Sequence, residues 1–98
     1  MSLSRRVVRE ARIKKGIMEK SLLITISTNL KRMRGAKGIS QIKIAKKSGL
    51  SRYAYSNIEN GKKLPTGGDL QRIADALGVK IQYIVTPVPK IHSLRFRF

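Results

Sequence analysis

The stretch from Gly38 to Lys62, GISQIKIAKKSGLSRYAYSNIENGK, constrains this chain more than any other, because it spells two short helices joined by a tight, glycine-containing turn. Ser40 is placed to cap a helix running through Gln41, Ile42, Ile44 and Ala45. Gly49 supplies a permissive backbone at its end, and Ser51 caps the next helix. Tyr55 and Ile58, three residues apart, share the inner face of that second helix. Arg52, Tyr53, Ser56 and Asn57 are left on other faces, where side chains of their chemistry can reach base edges in a major groove.

The same run resembles the lambda-repressor-like, or XRE, helix-turn-helix family, whose pattern reads S-Q-x-x-[LI]-A-x-x-x-G-[LV]-S-x-x-x-[IY]-S-x-[IL]-E-x-G-K. The residues in register begin with Ser40, Gln41, Ile44, Ala45, Gly49, Leu50 and Ser51. They continue through Tyr55, Ser56, Ile58, Glu59, Gly61 and Lys62. Beyond them, LPTGGDLQRIADALGV is similar to the family's proline loop and fourth helix, with Pro65, Leu70, Ile73, Ala74, Leu77, Gly78 and Val79 in place. The resemblance runs roughly from Thr25 to Val85 and implies an all-α, five-helix DNA-binding domain.

By the same resemblance the chain is expected to be a transcriptional regulator, a repressor acting as a homodimer on double-stranded DNA and needing no cofactor. A phage-type repressor and the antidote half of a toxin and antitoxin pair share these features, and in the second case a toxin is a further partner. Two other readings fit the fold. One is an adaptor, as in the multiprotein-bridging factors, and the other is the N-terminal regulatory part of a longer metallopeptidase-fused regulator.

The resemblance also implies roles for single residues. Gln41 bonds a DNA phosphate and the neighbouring recognition helix, while Ser51, Asn60, Lys62 and Lys63 contact phosphate around that helix. Arg52 is suited to guanine, Asn57 to adenine, and Tyr53 to a thymine methyl or a phosphate, with Ser56 beside them as a reader. Arg34 and Glu59 stand where the family forms a structural ion pair. Tyr55 is expected in the core, with a hydroxyl that needs water or a partner. Two departures stand out: Ser48 occupies a position where the family prefers an apolar residue, which leaves open how tightly the second helix packs, and Ile42 is apolar where a polar residue is usual, so that together they point to a small shift in burial.

Composition agrees. A chain of 98 residues suits one domain with a modest core. Lys and Arg number 22 against 5 acidic residues, a net charge of +17, which makes an anionic partner, nucleic acid first, the leading expectation. The charge is not confined to the ends, since residues 21–86 alone carry 12 basic and 3 acidic side chains. Without cysteine there is neither a disulfide nor a thiolate metal site, which fits a reducing cytoplasm. Apolar runs such as Leu22 to Ile24 fall far short of a membrane span, so a cytoplasmic protein with no membrane partner is expected. His92 is the single histidine, and no acid and base pairing or zinc spacing accompanies it, so no catalytic or metal residues are assigned.

Around the central motif, Leu23, Ile26, Leu30 and Met33 predict a first helix over Ser21 to Arg34. Residues 1–20 are expected to form a flexible basic extension, read first as a solvated tail and second as an arm on phosphate or in a minor groove. Residues 21–86 form the DNA-binding domain, with a fourth helix after a cap at Thr66 and a short fifth helix before Pro87. Residues 87–98 are expected to be an extended tail. In it Leu94, Phe96 and Phe98 alternate with Arg95 and Arg97, the period of a half-buried strand that needs an apolar surface of its own or another subunit.

Overall fold

The computed structural model describes residues 5–88, with side chains from residue 12 onward. Five helices succeed one another: α1 (Arg5–Lys37), α2 (Gln41–Ser48), α3 (Arg52–Glu59), α4 (Gly67–Leu77) and α5 (Ile81–Val85), with no strand among the described residues. α1 packs against α3 and α5, α2 against α3 and α4, and α4 against α5.

The first helix begins well before Ser21, and this corrects the expected boundary. Starting a helix is the costly step, whereas lengthening one that exists adds a hydrogen bond for each residue fixed. The residues preceding Ser21 are mostly Arg, Lys, Glu, Ile and Met, without proline, so a helix nucleated by the packed half of α1 propagates back through them. Its packed half is set by Ile26, Leu30 and Met33, all buried, with Leu22 and Leu23 half-buried ahead of them. Of the expected tail over 87–98, residues 89–98 lie outside the described residues.

The core joins those three side chains to Ile44 and Ala45 of α2, Tyr55 and Ile58 of α3, Ile73, Ala74 and Leu77 of α4, and Ile84 of α5. Each of α2, α3 and α4 opens with a side chain accepting from a backbone N–H of its first turn: Ser40 from Lys43, Ser51 from Ala54, and Thr66 from Asp69. α2 stops at Gly49, whose φ of 72° lets the backbone turn left-handed. The turn returns N–H bonds from Gly49 and Leu50 to the carbonyls of Lys46 and Ala45.

Three buried polar side chains tie helices together in ways that apolar patterning does not reveal. Ser48 donates its hydroxyl to the Ile44 carbonyl at 2.7 Å, and its own carbonyl accepts from Arg72 Nε at 3.1 Å, which ties the end of α2 to α4. Ser48 is 1% exposed and fully satisfied, so the end of α2 packs closely at the position the sequence left open; Ile42 points outward at 57%. Asn29 donates to the carbonyls of Ile84 and Thr86 at 2.8 and 2.9 Å, meeting acceptors that the end of α5 would otherwise leave unpaired. Ser27 donates to the Glu59 carbonyl, and Gly61 approaches the Ser27 side chain and the Leu23 carbonyl, so the end of α3 rests on α1.

Candidate nucleic-acid interface

α3 is short, and its inner face is fixed by Tyr55, Ile58 and Glu59, which are 0, 2 and 1% exposed. Residues at i, i+3 and i+4 share a side of a helix, so these three hold the opposite side outward. The rest of the helix carries Arg52, Tyr53, Ser56 and Asn57, spaced i, i+1, i+4 and i+5, with Arg52 at its first, open turn. Arg52 and Tyr53 are exposed, Tyr53 to 78%, whereas Ser56 and Asn57 are half-buried at its base. The arrangement presents a guanidinium fork, a phenol, a hydroxyl and an amide from one rigid element.

A single carboxylate sets the pose of this helix. Glu59 Oε1 accepts from Arg34 Nε at 2.7 Å and from the Tyr55 hydroxyl at 2.8 Å. Its Oε2 accepts from the other end of the Arg34 fork at 2.9 Å and from the Gln41 amide at 2.7 Å. Arg34 spends a further N–H on the Ile39 carbonyl at 2.9 Å, so α1, the turn before α2, α2 and α3 meet at one point. Burial alone pushes the Glu59 carboxyl up, but the bonds from Arg34, Gln41 and Tyr55 outweigh it and hold it below its ordinary value. The bond to Glu59 raises Arg34, while burial first and then the neighbouring carboxylate raise Tyr55.

The residues assigned to phosphate fall around the same helix. Ser51 caps α3 by accepting from Ala54 at 3.0 Å, which leaves its hydroxyl proton free to donate outward. Gln41 opens α2 with one amide proton on Glu59 and a second for another acceptor. Asn60 closes α3, exposed, and donates to the Ser56 hydroxyl at 3.1 Å, so these two side chains hold one another. Lys62 and Lys63 have exposed side chains, and their backbone N–H groups donate to the Asn57 carbonyl at 2.8 and 3.3 Å. The expected ion pair between Arg34 and Glu59 is present, with Glu59 the more deeply buried partner.

Sequence reading missed the extent of this cluster. Tyr55 and Glu59 are four apart on α3, and that spacing was the available signal for their bond. Gln41 carried a double assignment, of which the bond to the recognition helix is the one visible here. Among the described residues no group of His, Cys, Asp and Glu could hold a metal ion, and no helix is long and apolar enough to cross a membrane.

Comparison with known proteins gives this geometry its context. An uncharacterised HTH-type transcriptional regulator, y4dJ, from Sinorhizobium fredii is 37% identical over 62 residues, covering 63% of this chain and 80% of that protein. An immunity repressor protein of Bacillus phage phi105 is 31% identical over 62 residues; the match spans 63% of this chain and 43% of the phage protein's length. Among solved structures, the restriction-modification controller protein C.AhdI from Aeromonas hydrophila superposes with a TM-score of 0.61 at 29% identity, covering 63% of this chain and 94% of the controller. A hypothetical transcription factor, NHTF, from Neisseria gives a TM-score of 0.66 at 27% identity, covering 80% of this chain and 87% of that one. The profile of the helix-turn-helix family matches residues 30–84, more than half of the chain and all of the candidate interface, and the chain belongs to that family, in its XRE-type form.

Proposed function

We propose that this protein is a sequence-specific DNA-binding repressor of transcription that reads the major groove with α3. The observation that carries the reading is the outward row Arg52, Tyr53, Ser56 and Asn57, mounted on a helix whose other side is locked by the Glu59 cluster. Base edges reward donors and acceptors held in fixed geometry, and a helix anchored on its inner face supplies that. Gln41, Ser51, Asn60, Lys62 and Lys63 surround the row and suit phosphate, which positions a protein on DNA without carrying sequence. A net charge of +17 supplies the long-range attraction. Repression is the sign favoured by the likeness to a phage immunity repressor.

The repressor acts in the cytoplasm as a homodimer on a pseudo-palindromic site, because two copies related by a two-fold axis read two inverted half-sites. Selection of bound sequences from random duplex DNA tests the proposal. The expected result is an enriched inverted repeat with half-site centres about one helical turn apart, roughly 34 Å. Enrichment of no sequence, with binding that tracks charge alone, would remove α3 as the reader and return the chain to an adaptor role.

A further inference from the structure

α3 ends on a pair of side chains one turn apart. Asn60 stands four residues beyond Ser56, so the two fall on the same side of the helix. The Asn60 amide donates to the Ser56 hydroxyl at 3.1 Å, and the Asn60 backbone N–H donates to the Ser56 carbonyl at 2.9 Å. Asn60 is thus held to Ser56 twice. Just beyond it, the N–H groups of Lys62 and Lys63 close on the Asn57 carbonyl, which pins the turn that follows. Ser56 is half-buried, whereas Asn60 is exposed.

A serine hydroxyl has one proton to give and two lone pairs with which to accept. Alone, it reads a base edge ambiguously: it can donate to guanine N7 or O6 or to thymine O4, and it can equally accept from cytosine N4 or adenine N6. The bond from Asn60 breaks that symmetry. It engages a lone pair of the hydroxyl, and a hydroxyl that accepts one bond is polarised to donate another more strongly. The proton is not spent on the helix either. Ser48 gives its hydroxyl to the Ile44 carbonyl four residues back, whereas among the described residues Ser56 donates to no such acceptor.

We propose that Asn60 is a positioning residue for base reading: it holds the Ser56 hydroxyl as a donor, so that Ser56 selects guanine or thymine over cytosine at one base pair of the site. The inference rests on α3 being the reader. Asn60 keeps a second amide proton for a phosphate, so a single amide links the fixed position of the DNA backbone to the hydroxyl that meets the base.

Duplexes selected from random DNA supply the site, and competition binding to variants with each base pair at each position supplies the preferences. Ser56→Ala is expected to flatten the preference at one position by about three- to tenfold, the worth of one hydrogen bond. There the wild-type protein is expected to favour guanine or thymine over cytosine. Asn60→Ala should lose part of that preference and leave preferences elsewhere unchanged. Asn60→Asp should reverse it. A carboxylate only accepts, so it draws the Ser56 proton to itself and turns a lone pair to the base, which shifts the preference towards cytosine. The added negative charge weakens binding to every duplex alike, and the ratio between duplexes cancels that loss. With Ser56→Ala already in place, Asn60→Asp should move no preference. Cytosine favoured by the wild-type protein at the Ser56 position would overturn the proposal and leave α3 as the reader. So would a Ser56→Ala variant that keeps every preference, or Asn60 variants that weaken all duplexes equally and move none. Enrichment of no sequence by the wild-type protein would overturn both this proposal and the reading by α3.

Discussion

Glu59 is the residue on which the geometry of the candidate interface turns. Its carboxylate takes four hydrogen bonds from three side chains while almost wholly buried, so removing its charge leaves Arg34 without its counter-ion in a confined site. Breaking one side of a fully buried pair costs about 3–5 kcal/mol. Arg34 retains some solvent contact, so Glu59→Gln is expected to cost about 2–4 kcal/mol, read as a lower urea midpoint. An unmoved midpoint would show that the cluster is ornamental. The pH dependence has a definite sign. The folded carboxyl lies below its unfolded value, so its contribution is complete above about pH 5 and is lost as the pH falls through the folded value. Glu59→Gln should therefore flatten the acid limb of the stability curve. The outward residues behave differently. Arg52→Ala and Asn57→Ala should relax preference at individual base pairs by about 1–3 kcal/mol of discrimination each. Lys62→Ala or Lys63→Ala should weaken all duplexes alike and lower the salt slope by about one, as competition binding across a salt series will record.

At the scale of the element, α1 shows how a pattern can be correct and its boundary wrong. The stripe of Leu23, Ile26, Leu30 and Met33 marks only the turns that touch the core, whereas hydrogen bonding continues backward through residues with no partner to announce them. Gly16 interrupts that overhang, and a β-carbon placed on it meets nothing within 4 Å. Gly16→Ala should then strengthen the exposed half of α1 by about 0.8–1.0 kcal/mol, visible as added far-ultraviolet helicity. Unchanged helicity would mean that this half of α1 gains nothing from propensity. α5 depends on a different device. It is five residues long, and Asn29 meets two of its terminal acceptors from α1. Asn29→Ala should cost about 1–3 kcal/mol and expose the α5 amides first to hydrogen exchange, because the buried Ile84 carbonyl would be left without its side-chain donor. Uniform exchange across the five helices would argue against this.

Across the whole molecule, the order of five helices, the caps at Ser40, Ser51 and Thr66, and the outward row on α3 were legible in the chain itself. Capping and helical periodicity are local effects, set by residues within one or two turns of each other. The likeness to XRE regulators could likewise be read from Ser40 to Lys62, since fixed spacing in sequence becomes fixed geometry on a helix. Tertiary structure alone decided the rest. It brought Ser27, Asn29 and Arg34 of α1 to carbonyls and a carboxylate many residues away, and satisfied Ser48 in a position suited to an apolar side chain. The physical reason is that a buried polar group is tolerated only when a partner from elsewhere in the chain arrives within bonding distance. Sequence spacing records which groups need such a partner, and only the packed fold shows which one comes.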